Sequence, residues 1–186
     1  MTEQNKILKF PQNRNINKSV DNNETNVDKK NVLSNEETQK ILRDTVGTEI
    51  NRDVPLRNEF IRMYPEENNE SFSAQVFRAE NALNVIESYL LERFSEIDDI
   101  FNKILEKDML NEDASKDWGI YNKKVDDYDD NIIQLIEYIT DRATINKPLK
   151  TVIHVIGGDS FLFREAELVF RERFLKEEKA EYDNAD

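Results

Sequence analysis

The sequence contains no cysteine, a single histidine, and only four glycines and four prolines in 186 residues. Without thiols there is no disulfide, no thiolate nucleophile and no cysteine-ligated zinc. One imidazole leaves almost no room for histidine-rich metal sites or imidazole catalysis. No stretch approaches the ~18 uninterrupted apolar residues of a membrane span, and no secretory apolar segment follows Met1. These absences predict a protein with no membrane partner and no cofactor.

Acidic side chains outnumber basic ones by 39 to 26, which gives a net charge of -13. A surface of this sign repels nucleic acid, so no direct nucleic-acid partner is expected. The hydrophobic residues, 38% of the chain with ten Phe and six Tyr, are sufficient for a folded core. The abundance of Asn, Lys, Ile and Glu is typical of AT-rich bacteria and their phages, so we expect a cytoplasmic protein of a bacterial or phage-infected cell.

Residues 1–33 differ from the rest because they are rich in Asn, poor in apolar groups and without a helical or strand period. Six basic and four acidic residues lie here, so the remainder carries a net charge of -15. So little apolar surface does not offset the entropy of ordering, and a flexible tail is predicted. Its one apolar cluster is Ile7, Leu8 and Phe10. We interpret this cluster as a short motif that binds a groove of a partner; a chance apolar patch is the alternative.

Helix-capping residues predict where the folded domain begins and how its first helices end. Ser34 and Glu37 form a capping-box pattern, which predicts a helix over residues 35–46. Gly47 is expected to end that helix in a left-handed conformation. Pro55 suits the first turn of a second, short helix, and Pro65 ends it.

Two long apolar series predict two long helices. Steps of three and four residues place one apolar seam on residues 73–108 and another on residues 112–144. A short turn joins the two predicted helices, so they form an antiparallel hairpin in which paired residue numbers sum to about 222. The seam positions are Val76, Ala79, Leu83, Ile86, Leu90, Phe94, Ile97, Phe101 and Ile104, then Trp118, Tyr121, Val125, Tyr128, Ile132, Leu135 and Ile139.

Residues 149–156 are β-branched and resemble a strand, but their apolar spacing is helical. Asn146 can cap a helix here, Pro148 fits its first turn, and Gly157 fits a left-handed end, so a helix is predicted. Asp159 or Ser160 then caps a last helix, whose expected inner stripe is Phe163, Ala166, Phe170 and Phe174. The predicted fold is all-α, with one helical domain over residues 34–180 and a frayed acidic end at 181–186.

The acidic residues of the hairpin are the one group that suggests metal chemistry. Glu92 and Glu96 are level with Asp130 and Asp126 in the predicted pairing, and carboxylates from two helices are ligands for Mg²⁺. Their heptad positions point away from the partner helix, however, so a solvated face is the favoured interpretation and no metal site is predicted. His154 and Ser160 lack a placed acid and an oxyanion hole, so no catalytic residues are predicted either.

The last predicted helix has more apolar surface than packing needs. Phe161, Leu162 and Val169 widen its stripe, so a protein partner or a second copy of the chain is expected to bind there. The leading interpretation is a non-enzymatic interaction protein, an assembly chaperone or adaptor, including those of phage particles. The alternatives are an acidic inhibitor that imitates the charge of nucleic acid, and a Mg²⁺-dependent nucleotide pyrophosphohydrolase built on Glu92, Glu96, Asp126 and Asp130.

Overall fold

A computed structural model describes residues 33–47 and 49–183, and in these ranges it has six helices and no strand, which confirms the all-α prediction. The motif at Ile7, Leu8 and Phe10, the rest of the predicted tail up to residue 32, and residues 184–186 lie outside the described residues. The helices are α1 (Asn35–Thr45), α2 (Leu56–Met63), α3 (Phe72–Met109), α4 (Ser115–Ile145), α5 (Lys147–Ile156) and α6 (Phe161–Asp183).

The predicted helix starts are confirmed by their capping hydrogen bonds. The Ser34 hydroxyl accepts from the Glu37 amide at 3.2 Å, and the Glu37 carboxylate accepts from the Ser34 amide at 3.0 Å. Asn146 Oδ1 accepts from the Leu149 amide at 2.8 Å, so residues 147–156 are a helix rather than a strand.

Two predicted helix ends are wrong in their conformation, because no described glycine has a positive φ. Gly157 has φ -55°, and a Cβ there would lie 2.5 Å from the carbonyl oxygen of Ile153. Glycine is therefore required at this position by a close backbone approach rather than by a left-handed turn. The left-handed residue is Asn111, with φ 54°, between α3 and α4.

The contacts between α3 and α4 are compatible with the predicted antiparallel hairpin. Lys107 binds Asp117, the ring of Phe101 contacts that of Tyr121, and Glu96 binds Lys124. Residue numbers therefore fall along α3 as they rise along α4, and the pairs sum to values between 220 and 224. Helix α4 begins at Ser115, three residues later than predicted.

The apolar seams are buried most continuously at the end of this helix pair away from the turn, although Ile104, near the turn, is also buried. Helices α2, α5 and α6 pack against α3 and α4 away from the turn, and they cover Leu83, Ile86, Leu90, Ile132, Leu135 and Ile139. Phe94 and Trp118 belong to the predicted seams but are 47% and 42% exposed, so the expectation of a continuous buried seam is wrong at those positions. A heptad pattern gives the face of a helix, not the length over which neighbours cover it.

The buried stripe of α6 also differs from the prediction. Leu162, Ala166 and Val169 are buried, whereas Phe170 and Phe174 are exposed. The cause lies at the start of the helix, where the Ser160 hydroxyl donates to the carboxylate of Glu87 on α3, which also accepts from the Leu162 amide. This contact directs Leu162 into the core.

A buried arginine on α4 joins the ends of three helices. Arg142 donates from Nη1 to the carbonyl of Tyr64 and from Nη2 to that of Pro65, each at 2.6 Å. Its guanidinium lies 4.4 Å from the centre of the Tyr64 ring. The Tyr64 hydroxyl donates to Asn146, which also caps α5. The carbonyls at the end of α2 are thus satisfied by α4 rather than by water.

We predict that Arg142→Leu lowers the free energy of unfolding by about 3 kcal/mol, because the buried carbonyl of Tyr64 and the partly buried carbonyl of Pro65 lose charged donors. Arg43→Leu, at an exposed position on α1, is the matched control and changes the free energy of unfolding by no more than about 0.5 kcal/mol. Urea unfolding followed by circular dichroism measures both. Equal losses in the two variants would contradict the structural role of Arg142.

Candidate functional site

The four carboxylates of the alternative metal site lie in two separate places, and cations engage both. Glu92 and Glu96 both bind Arg52, from the segment before α2. Asp130 binds Arg173 of α6 at 2.6 Å, and Asp126 lies on that same side of α4. Nowhere in the described ranges do three or more potential ligand side chains form a group that could hold a metal ion.

Glu96 is the centre of the first of these networks. Its carboxylate accepts from Arg52 at 3.2 Å, from Arg93 at 2.6 Å and from Lys124 at 3.2 Å. Burial would raise the pKa of Glu96, but the hydrogen bonds and charges of Lys124 and Arg93 outweigh it and lower the pKa. An ionised carboxylate with three cationic partners binds the segment before α2 to the helix pair, which is a structural role.

This network lines a cleft of about 270 Å³ between the segment before α2 and the middle of α3 and α4. The aromatic wall includes Tyr89, whose hydroxyl accepts from Arg93 at 2.8 Å, and Tyr128, whose hydroxyl donates to Glu165 at 3.3 Å. Burial raises the pKa of Tyr128, and the neighbouring Glu165 raises it further. The polar groups of the cleft are therefore largely engaged with one another.

The predicted partner surface on α6 is only partly exposed. Leu162 is fully buried and Val169 is 7% exposed, so both belong to the core and neither is available on the surface of this fold. Phe161 is partly buried, and its ring contacts that of Phe94 on α3 with the centroids 6.3 Å apart. Leu162 and Val169 are buried for the same reason that the buried stripe of α6 differs from the prediction. Glu87 accepts from the Leu162 amide at the start of the helix and turns this side of α6 toward the core.

A group of exposed apolar side chains lies where α3 meets α4. We call residues 105–121 the hairpin tip. Met109 is 75% and Leu110 is 68% exposed, and Leu105, Trp118 and Ile120 are also exposed. Trp118 packs edge-on against Tyr121 at 5.6 Å and against Phe101 at 6.2 Å. The tip therefore presents an apolar surface on an aromatic cluster that is already ordered.

The hairpin tip is acidic as well as apolar, with five carboxylates and two lysines, a net charge of -3. Lys107 forms an ion pair with Asp117 at 2.5 Å, and this hydrogen bond raises the pKa of Lys107. The backbone and hydroxyl of Ser115 donate to Asp113 and lower its pKa, so that carboxylate stays ionised. A basic group on a binding partner meets uncompensated negative charge here.

Sequence reasoning missed the hairpin tip. Leu105 and Ile120 lie outside both predicted heptad seams, and Met109 and Leu110 were expected in or beside a turn. The sequence did contain one indication of this surface, because Leu105 and Ile120 are apolar although they lie outside the heptad seams. Sequence alone could not show that Trp118, a seam residue, stays exposed, because that depends on the absence of a third helix over the described part of the tip.

We predict that Asp129→Asn raises the melting temperature at pH 7, equivalent to about 0.5 kcal/mol for a carboxylate that solvent still screens in part. Burial against α6 raises the pKa of Asp129, and the charge of Glu172 raises it further. A raised pKa means that the folded state binds the proton more tightly, so ionisation of Asp129 destabilises the fold at neutral pH. The gain therefore disappears as the pH falls below the ordinary value of about 3.8, where both the folded and the unfolded states are protonated.

The control for this substitution is Asp127→Asn, which removes the same charge from an exposed position of α4. Thermal unfolding of both variants at pH 7 and near pH 3, below the ordinary pKa of Asp129, separates the local effect from the change in net charge. A gain of equal size in Asp127→Asn, or one that persists at the lower pH, contradicts the assignment to Asp129.

None of the helices in the described residues is both long enough and apolar enough to span a membrane. Comparison of the chain with protein-family models, with curated proteins and with solved structures finds no match.

Proposed function

We propose that the protein is a non-enzymatic adaptor or assembly chaperone that binds a protein partner through the hairpin tip. The observation that carries this proposal is the ordered aromatic cluster at the tip, where Trp118 stays 42% exposed although its ring packs against Phe101 and Tyr121. Tryptophan at the centre of a surface patch is among the side chains that contribute most to binding energy. Because its neighbours Phe101 and Tyr121 already fix its ring, little conformational entropy is lost on binding.

The partner that fits this surface is an apolar segment with basic groups. The apolar side chains of the tip favour burial by about 25 cal/mol per Å² of apolar area removed from water. The net charge of -3 at the tip favours Lys or Arg around that contact and increases the association rate. This combination supports a role in protein binding.

Imitation of nucleic-acid charge is the second candidate, supported by the net charge of the whole chain. The ion pairs of Glu96 and Asp130 reduce the exposed charge of α3 and α4 and weaken this candidate. The two hypotheses differ in salt dependence, because apolar burial persists at high ionic strength and charge pairing between exposed groups is screened.

We predict that the full chain retains a partner from a host lysate at both low and high salt, and that Leu110→Glu abolishes the retention. Leu110 is on the tip surface, and a carboxylate there places an unpaired charge in the apolar contact. The matched control is Val155→Glu on α5, which is similarly exposed but far along the chain from the tip, and it keeps the partner. Mass spectrometry of the retained proteins compares the three chains.

Trp118 supplies an independent readout, since it is the one tryptophan of the chain. Titration of the identified partner is expected to shift its fluorescence emission to shorter wavelength as the indole loses water. A partner that binds Leu110→Glu as well as the native chain, or an unchanged emission, removes the tip from the proposal. A partner lost at high salt in all chains favours charge imitation instead.

A further inference from the structure

A second exposed apolar surface lies where α5 packs beside the first residue of α3. Phe72 is 46% exposed and Val155 is 73% exposed, and both line one shallow hollow. We call this hollow the α5 surface, and its residues include Phe72, Lys147, Lys150, Ile153, His154 and Val155. Single exposed apolar residues are ordinary, but a contiguous group on two packed helices indicates an interface.

The charges of the α5 surface are basic, although the whole chain has a net charge of -13. Lys147 and Lys150 line the hollow, and none of the described residues that line it is acidic. An adjoining hollow, which shares Phe72, contains one carboxylate, that of Glu80. An apolar segment with acidic groups therefore fits the α5 surface.

The hairpin tip has the opposite charge and the same apolar character. It carries a net charge of -3, and Met109 and Leu110 are largely exposed there. Two tips repel each other, as do two α5 surfaces, whereas a tip and an α5 surface attract. The apolar surface with basic groups that fits the tip is therefore present on the chain itself.

The two surfaces lie at opposite ends of α3 and on one side of it. Phe72 is the first residue of α3 and Met109 is the last, which places about 55 Å of helix between them. At about 3.6 residues per turn, Leu105 lies about 60° around the helix axis from Phe72, and Met109 lies about 100° from it. Leu91 and Phe94, in the middle of α3, fall within the same range of angles and are 50% and 47% exposed. Exposed apolar side chains therefore follow one side of α3 from its start to its end.

A single two-fold axis at the middle of α3 brings both pairs of surfaces together. When two copies of α3 lie antiparallel along this side, the tip of each copy reaches the α5 surface of the other. Helix α5 packs on α3 near Phe72, whereas Leu105, at the other end, is 43% exposed. The half of one copy that α5 covers then lies against the bare half of the second copy, so this arrangement matches shape as well as charge.

We propose that two copies of the chain form an antiparallel two-fold dimer in which the hairpin tip of each copy binds the α5 surface of the other. The proposal rests on the proposed function in one respect, that the tip is a binding surface. In the dimer the tip is closed, and a partner with an apolar basic segment competes with the α5 surface for it. The dimer is thus the resting form, and the partner opens it.

Charge reversal tests the proposal on the full chain. The tip variant carries Asp108→Lys and Glu112→Lys, which change the net charge of the tip from -3 to +1, because each substitution adds two charges. The α5 variant carries Lys147→Glu and Lys150→Glu. Each variant alone brings like charges together at both contacts, so its dissociation constant is expected to rise about 100-fold. Sedimentation equilibrium measures it.

Mixing the two variants gives the decisive result. In the mixed dimer, the basic tip of one chain meets the acidic α5 surface of the other, and the second contact pairs two native surfaces. Both contacts are then complementary, so dimers are expected to return at about the native dissociation constant. Asp99→Lys is the control, because Asp99 is exposed on the opposite side of α3, about 180° from Phe72, and it leaves dimerisation unchanged.

Single apolar substitutions test the two surfaces separately. Leu110→Glu at the tip and Val155→Glu on α5 are both expected to be monomeric, although they lie at opposite ends of the helix pair, because each contact uses both surfaces. Light scattering coupled to size-exclusion chromatography measures the mass. Circular dichroism spectra identical to that of the native chain show that each variant is folded.

Three results overturn the proposal. A native chain that is monomeric at all concentrations leaves the α5 surface to an acidic segment of a different protein. Dimers with unchanged affinity in Leu110→Glu or in Val155→Glu place the contact elsewhere, and variants that stay monomeric on mixing remove the pairing of tip with α5 surface. The proposed function fails separately: a host partner retained through Leu110 by a monomeric native chain supports that function alone, and a dimer without any retained partner supports the dimer alone.

Discussion

The side chain of Arg142 is the constraint on which the arrangement of helices depends. Its guanidinium is buried, contacts the ring of Tyr64 and donates to the carbonyls at the end of α2. A buried charge is tolerated only where its hydrogen bonds are satisfied, so α2 and α4 have little freedom to move apart. Asn146 extends the constraint to α5 by binding Tyr64 and capping the next helix.

Because Arg142 lies near the end of α4, the packing that it organises is concentrated there. Helices α2 and α5 cover that end of α3 and α4, and the opposite end at the tip is left with aromatic contacts of its own, such as Phe101 with Trp118. Two helices without a third can bury a seam only in part. Burial along the heptad series of α3 is uneven, since Ile86 is buried, Phe94 is 47% exposed and Ile104 is buried again.

Much of the fold could be predicted from local chemistry. The Ser34 capping box and the Asn146 cap are determined by a few neighbouring residues, and each appears as expected. The rotation of α6 could not be predicted, because it depends on Glu87, which is distant in sequence and was one acid among many. The exposed apolar surfaces could not be predicted for a related reason. A heptad pattern shows which face of a helix is apolar, but not how many neighbouring helices cover that face.

The high negative charge and the exposed apolar groups have opposite effects on association with other proteins. Apolar surfaces such as those at Leu110 and Leu168 attract any exposed hydrophobic segment, and a net charge of -13 opposes most such encounters between copies or with other acidic proteins. A partner must therefore offer basic groups to the tip. Charge then determines which contacts form, and apolar burial determines how long they last.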